Sequence, residues 1–170
     1  MTASIRTNGL SSATTNLLGA VIFIGLLHHA DHVLRVDHSG WPFRPKVTPF
    51  TYSLLAYPIL LSALFGSVRY FWARWAGLAL GTIFTIFAHV RIESPQMQYA
   101  MWAYNRSLEP RLWLIRNLCG VESGMLGWAA VIISMLLNVM LVVATISMFI
   151  DGQKQRHGVR MVRTYDFGPI

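Results

Sequence analysis

Histidines and acidic residues gather at the end of one strongly apolar segment. The stretch HHADHVLRVDHSG, residues 28–40, holds four of the six histidines of the chain. On an α-helix His28 and His32 stand four positions apart, so both imidazoles project from one face, and Asp31 lies close beside them. Paired histidines at this spacing on a helix are typical of transition-metal sites. The stretch therefore predicts metal binding.

Residues of the same chemistry recur near two later apolar segments. His89 and Glu93 repeat the four-residue spacing, and Glu122 adds a carboxylate just before the last apolar segment. Neutral imidazoles together with carboxylates suit zinc or iron, and a histidine-rich subset suits copper. The sequence thus predicts one shared site with five ligands. The predicted ligands are His28, His32, His89, Glu93 and Glu122.

Other polar residues nearby are predicted to support the ligands. Asp31 is expected to orient a ligand, as carboxylates behind metal-bound imidazoles do. His29 projects about 100° away from His28 on a helix and therefore faces a different part of the site. The predicted supporting group consists of Asp31, His29, Arg35 and Arg91. His38, in the loop after the first apolar segment, is an alternative ligand.

The segments that carry these residues have the character of membrane-spanning helices. Of the 170 residues 54% are hydrophobic and only 12% charged, and the mean hydropathy is +0.47. A helix of roughly 20 residues crosses a hydrocarbon core of about 30 Å. Apolar runs of suitable length occupy residues 15–35, 50–68, 72–93 and 121–150. The sequence predicts an all-α integral membrane protein: a single domain, 1–170, built as a four-helix transmembrane bundle with interfacial loops and a basic tail at 151–170.

This topology brings the candidate ligands to one end of the bundle. The first and third helices run in the same direction, and the fourth returns and begins near Glu122. An even number of spans also places both termini on the same side of the membrane. Basic residues that follow the last apolar run favour the cytoplasm for that side. The chain is therefore expected to be a multi-pass membrane protein whose two termini lie in the cytoplasm.

Charge and cysteine content narrow the possible partners. The net charge is +7, but the basic residues are scattered over loops and helix ends, as expected beside anionic lipid headgroups. No nucleic-acid partner is expected. The single cysteine, Cys119, excludes an intrachain disulfide and a CxxC redox pair. The expected partners are the lipid bilayer and, for a chain this small, other membrane subunits.

Three functions remain open from the sequence. The first is a membrane-embedded metalloprotein, an oxidoreductase or hydrolase that acts on a lipophilic substrate. The second is a b-type haem subunit, with a histidine of the first helix and His89 as axial ligands and Arg35 or Arg91 beside a propionate. The third is a non-catalytic accessory subunit of a larger membrane complex, in which the polar residues only hold helix ends together. The sequence identifies no catalytic residue.

Overall fold

The computed structural model describes residues 8–35, 52–108 and 114–165, with side chains described up to His157. Within these ranges the chain forms helices and turns and no strand, which confirms the all-α prediction for this part of the protein. The α-helices are α1 (Ser12–Arg35), α2 (Ala56–Phe65), α3 (Phe71–Phe87), α4 (Pro95–Ala103) and α5 (Gly124–Tyr165). A 3₁₀ turn (Val68–Tyr70) precedes α3, and a π-helical turn (Ala88–Ile92) follows it.

Three helical segments are long and apolar enough to cross a membrane. They are Ser12–Arg35, Val68–Ile92 and Gly124–His157. Each exceeds the roughly 20 residues that a hydrocarbon core requires. Their outward faces carry large apolar side chains such as Phe23 and Ile83, which are 62% and 65% exposed. These helices agree with the first, third and fourth predicted spans.

The second predicted span, 50–68, is much shorter in the structure. Helix α2 has 10 residues, and at 1.5 Å per residue it is about 15 Å long, half of a hydrocarbon core. It ends at Gly66, whose backbone is extended (φ −65°, ψ 156°) and whose N–H donates to Ser62 O. A run of apolar residues does not show where the helix within it stops. The structure therefore does not confirm a fourth spanning helix among the described residues.

Helix α5 is longer than predicted. It has 42 residues, or about 63 Å, and it continues through the first part of the predicted basic tail. Gly152 does not break it, because this glycine packs closely against α3: a Cβ added there would lie 2.6 Å from Phe71 Cε1. The absence of a side chain at Gly152 thus lets α5 pass close to α3.

Helices α1, α3 and α5 pack around a common apolar core. Its fully buried members include Leu18, Val21, Leu78 and Ala144. At one end of this core the carboxylate of Asp151 accepts hydrogen bonds from the backbone N–H of Ser11 and the hydroxyl of Thr14, at 2.8 and 2.6 Å. A carboxylate is stabilised at a helix N-terminus by unpaired N–H groups and the helix dipole. The start of α1 is therefore fixed beside α5, and the histidine-rich end of α1 lies at the other end of the core.

Candidate metal centre

Four of the five predicted ligands meet at the ends of α1 and α3. His28 and His32 come from the last turns of α1, His89 from the π-helical turn, and Glu93 directly follows that turn. One nitrogen or carboxylate oxygen from each lies within 4.8 Å of the corresponding atom of every other. His28, His89 and Glu93 are buried, and the His32 side chain is 12% exposed. We call these four residues the metal group.

The ligand atoms of the metal group converge on one small volume. His28 Nε2 lies 3.0 Å from His32 Nε2 and 2.8 Å from His89 Nε2. His32 Nε2 lies 3.0 Å from Glu93 Oε2. A tetrahedral ion with ligands at roughly 2.0–2.1 Å holds them about 3.3 Å apart. These three separations are about 0.3–0.5 Å shorter than that geometry, and all four ligand atoms lie within 4.8 Å of one another.

Hydrogen bonding between the rings accounts for only one of the two close contacts of His28 Nε2. An imidazole Nε2 carries either one proton or one lone pair, so it makes one good hydrogen bond within the ring plane. His28 Nε2 faces the Nε2 atoms of both His32 and His89, and it can pair with only one of them. A cation between the rings accepts a lone pair from all three nitrogens, and the convergence is therefore typical of a metal site.

The π-helical turn sets the positions of His89 and Glu93. The backbone N–H of Glu93 donates to Ala88 O, five residues back, at 2.9 Å. The sequence predicted a regular helix over 72–93, and a π turn instead rotates the last side chains of that segment relative to the rest of α3. Such single turns are frequent at functional sites. The main chain then leaves the helix at Glu93, and α4 begins two residues later, at Pro95.

Asn138 of α5 fixes the orientation of His89. The ring Nδ1–H of His89 donates to Asn138 Oδ1 at 3.1 Å, which leaves the lone pair on Nε2 directed at His28. Acceptors of this kind determine which nitrogen of a histidine is free to bind an ion. Asn138 was not among the predicted site residues. The available signal was a lone carboxamide within a strongly apolar run, since polar groups in such runs are costly and tend to have a partner.

Replacing Asn138 by leucine is expected to weaken metal binding by roughly 10–100-fold, because His89 loses the acceptor that fixes its ring. Competition between the purified protein and a chelator of known affinity measures this change. The matched variant Asn138→Asp keeps an acceptor oxygen and is expected to bind more tightly than Asn138→Leu. Equal affinities for the two variants would contradict the orienting role.

Arg35 forms an ion pair with Glu93, the carboxylate of the metal group, through the oxygen that does not face His32. Its side chain is fully buried, and its guanidinium donates to Glu93 Oε1 and, at 2.6 Å, to Asp31 Oδ2. Trp102 of α4 donates its indole N–H to the other oxygen of Asp31 at 2.7 Å. Asp31 was predicted to orient a ligand. In the structure it holds Arg35, and it therefore reaches the metal group through Arg35 and Glu93.

Glu93, just after the π-helical turn, is ionised in these surroundings. Burial alone would raise the pKa of its carboxyl group, but the positive charge of Arg35 and the ring of His32 outweigh burial and hold this pKa well below its usual value. The carboxylate thus keeps one oxygen on Arg35 and presents the other beside His32. An anionic oxygen at that position is a strong ligand for a divalent ion.

His29 lies on a different side of α1, as the helical spacing predicted. Its Nδ1 lies 3.0 Å from Gly25 O and 2.8 Å from the hydroxyl of Tyr57. Its Nε2 lies 2.8 Å from Ser53 Oγ. These contacts tie α1 to the residues at the start of α2 and place a second polar group about 6 Å from the His28 ring.

Three other predicted site residues are not part of the metal group. Glu122 is exposed and precedes α5, whereas α5 meets the group at Asn138. Gly124, at the start of α5, is roughly 20 Å from Asn138 along the axis at 1.5 Å per residue, so Glu122 lies beyond the reach of an ion shared with His89. Arg91 is exposed. His38 lies outside the described residues.

A pocket that is partly open to the outside adjoins the metal group. All four members of the group line it, together with His29 and apolar side chains of α1, α2, α3 and α5. A small molecule in this pocket would therefore contact an ion held by the group.

Comparisons of the chain with protein-family models, with curated proteins and with solved structures found no match.

Proposed function

We propose that the protein is an integral membrane metalloprotein that binds one transition-metal ion through His28, His32, His89 and Glu93. The observation that carries this proposal is the convergence of three imidazole Nε2 atoms and one carboxylate oxygen within 4.8 Å of one another. This donor set suits zinc, iron or copper. The three long apolar helices support insertion into a lipid bilayer, and we place both termini on the cytoplasmic side.

The spacing of the rings favours a bare ion over haem. In a b-type haem the iron lies between two axial nitrogens, which are then about 4 Å apart, twice a metal–nitrogen distance of roughly 2.0 Å. His28 Nε2 and His89 Nε2 are 2.8 Å apart, and their ring centroids are 4.6 Å apart. A porphyrin between these two rings would require their nitrogens to move apart by about 1.2 Å, whereas a single ion requires a smaller outward movement of each ring.

The pocket supports an enzymatic role for the ion. An ion that takes five or six ligands keeps positions open after the four protein ligands are bound, and the adjoining pocket gives a substrate access to them. The bound ion supplies Lewis-acid chemistry or, for iron and copper, redox chemistry. Glu93, fixed by Arg35, supplies negative charge to the site. The apolar lining selects a lipophilic substrate, and we propose an oxidoreductase or hydrolase of that class.

Elemental analysis of the detergent-purified protein tests the proposal most directly. We expect about one zinc, iron or copper ion per chain. Iron or copper would favour redox chemistry, whereas zinc would favour hydrolytic chemistry only if it keeps a coordination position open for substrate or water. An absorption spectrum taken on the same sample detects haem by its Soret band. A folded chain that carries no metal and takes up none on titration would refute the proposal and favour a structural role for the polar group in an accessory subunit.

Metal retention is expected to fall as the pH is lowered from about 7 to 5. Protons compete with the ion for imidazole nitrogens, whose ordinary pKa is about 6.5, so loss is expected to reach half near pH 6 and to reverse when the pH is raised. The measurement is bound metal per chain after equilibration in detergent, with circular dichroism to verify that the helices persist. Unchanged metal content at pH 5 would contradict binding through three histidines.

A further inference from the structure

The pocket beside the metal group has a polar end and an apolar end. The polar end consists of the metal group together with His29, Ser53 and Tyr57. The apolar end is lined by Val21, Ile59, Leu60, Leu78, Leu137 and Leu141. This division of polarity matches a molecule with a polar head and an apolar tail.

Threonines among the apolar side chains do not interrupt this lining. The hydroxyl of Thr82 donates to Leu78 O at 2.9 Å, and that of Thr85 donates to Gly81 O at 2.8 Å. Both hydroxyl protons are therefore bound within α3 itself. The threonine hydroxyls on the α3 side of the pocket thus need no hydrogen-bond acceptor from a ligand. This is expected where the pocket faces an alkyl chain.

Gly25 leaves open space directly before the ligands of α1. This glycine is buried, yet a Cβ added to it would meet no atom of the surrounding structure within 4 Å. At Gly127, by contrast, an added Cβ would lie 2.8 Å from the ring of Tyr99. Gly25 is one helical turn before His28, so the free space lies next to the metal group. A side chain at this position would occupy the pocket.

The charges around the pocket restrict which polar headgroup a ligand can carry. None of the described residues that line it is Lys or Arg, and Glu93 contributes a negative charge. A phosphate headgroup would find no cationic side chain there, and phosphates in proteins are commonly bound by such side chains. An uncharged or ion-binding oxygen head fits better, because it can contact the ion and the Tyr57 hydroxyl.

From these features we propose that the pocket binds a single-chain amphiphile with an oxygen-bearing head, of the fatty acid, fatty alcohol or fatty aldehyde class. The head lies at the metal group and Tyr57, and the alkyl chain runs past Gly25 toward Leu78. Phe84, which also lines the pocket, is 43% exposed, so the pocket reaches the outer surface of the bundle on α3. A chain dissolved in the bilayer can enter there. The proposal rests on the proposed function, since the ion is one of the contacts of the head.

Alkyl hydroxamates provide a first test, with the protein loaded with Co²⁺ in phosphatidylcholine nanodiscs. Hydroxamate oxygens bind the ion and change the visible absorption of cobalt. We compare dodecanohydroxamate with acetohydroxamate in Gly25→Leu and in the matched variant Gly19→Leu. Gly19 lies on the same helix, is exposed, and has nothing within 4 Å of an added Cβ. Partition of the long chain into lipid is the same for both variants and cancels in the comparison.

Gly25→Leu is expected to weaken dodecanohydroxamate binding by about tenfold or more relative to any change in acetohydroxamate binding, with cobalt content measured on the same samples. Gly19→Leu is expected to bind both compounds as the unchanged protein does. Equal dodecanohydroxamate affinities in the two variants would overturn the proposal and show that the chain stays in the lipid. A protein that takes up no cobalt would instead refute the proposed function.

A second readout does not depend on the ion. A fatty acid with a diazirine in its chain is irradiated with the metal-free protein in the same nanodiscs, and the labelled residues are mapped by mass spectrometry. We expect labelling around Leu60 and Leu78 that is lost in Gly25→Leu and kept in Gly19→Leu. Labelling confined to lipid-facing residues such as Phe23, in all three proteins, would exclude chain binding in the pocket whether or not a metal binds.

Discussion

Replacing His89 by alanine is expected to remove nearly all bound metal. The variant loses one of four ligands, and it is the ligand whose ring is fixed by Asn138. Metal content per chain is expected to fall below about a tenth of that of the unchanged protein. The helices are expected to form and insert as before, because exchanging an imidazole for a methyl group makes the segment more apolar. Elemental analysis after purification gives the metal content, and circular dichroism gives the helix content.

His157→Ala is the matched control for this experiment. His157 is an exposed histidine on α5, beyond Asp151 and therefore at the other end of the core. Its removal is expected to leave the metal content unchanged. Equal losses in the two variants would indicate adventitious binding by surface histidines. Full retention in His89→Ala would show that His89 is not a ligand.

Replacing Arg35 by methionine is expected to destabilise the protein by about 3–5 kcal/mol in the metal-free state. Methionine keeps much of the side-chain volume but removes the only charge that faces both Asp31 and Glu93 among the described residues. Two carboxylates with side chains only 10% and 5% exposed would then lack a cation. Uncompensated buried charge is among the costliest results of a single substitution. Thermal unfolding in detergent, followed by circular dichroism, measures the loss.

Arg91→Met serves as the comparison, because Arg91 is an exposed arginine two residues before Glu93. Its effect is expected to stay within about 0.5 kcal/mol. The double variant Arg35→Met/Glu93→Gln should recover part of the stability lost in Arg35→Met, because one of the two unpaired charges is then removed. If the double variant loses more stability than the two single variants lose together, loss of the ion pair is not the cause of the destabilisation in Arg35→Met.

Local residue spacing made the metal group predictable from the sequence. Features that depend on tertiary packing were not predictable in this way. His28 and His32 share a face of α1 wherever that helix lies, since the helical repeat alone brings positions four apart together. His89 and Glu93 have the same spacing in the sequence, but in the structure a π-helical turn sets their positions. The meeting of the two pairs was predictable because α1 and α3 run in the same direction. These inferences required only helix type and approximate ends.

The predictions that depended on exact helix ends differ from the structure. Glu122 was placed with the ligands because the last helix was expected to begin at their level. Helix α4 packs against the first turns of α5, with Tyr99 beside Gly127 and Trp128, and α5 extends well past the metal group. An apolar run shows that a helix is buried or in lipid, but it does not show which neighbour lies at each level. The short α2 and the π-helical turn were not predictable for the same reason.

The charges of Arg35 and its two carboxylate partners would affect the oxidation state of an ion bound by the metal group. Metal-binding histidines are neutral, so the described charged groups at the site, Arg35, Asp31 and Glu93, leave one net negative charge. A divalent ion turns this into one net positive charge, and a trivalent ion into two. Net charge in a poorly solvated interior is costly and rises steeply with its magnitude. The surroundings therefore favour the lower oxidation state, so that iron in this site would resist oxidation from ferrous to ferric.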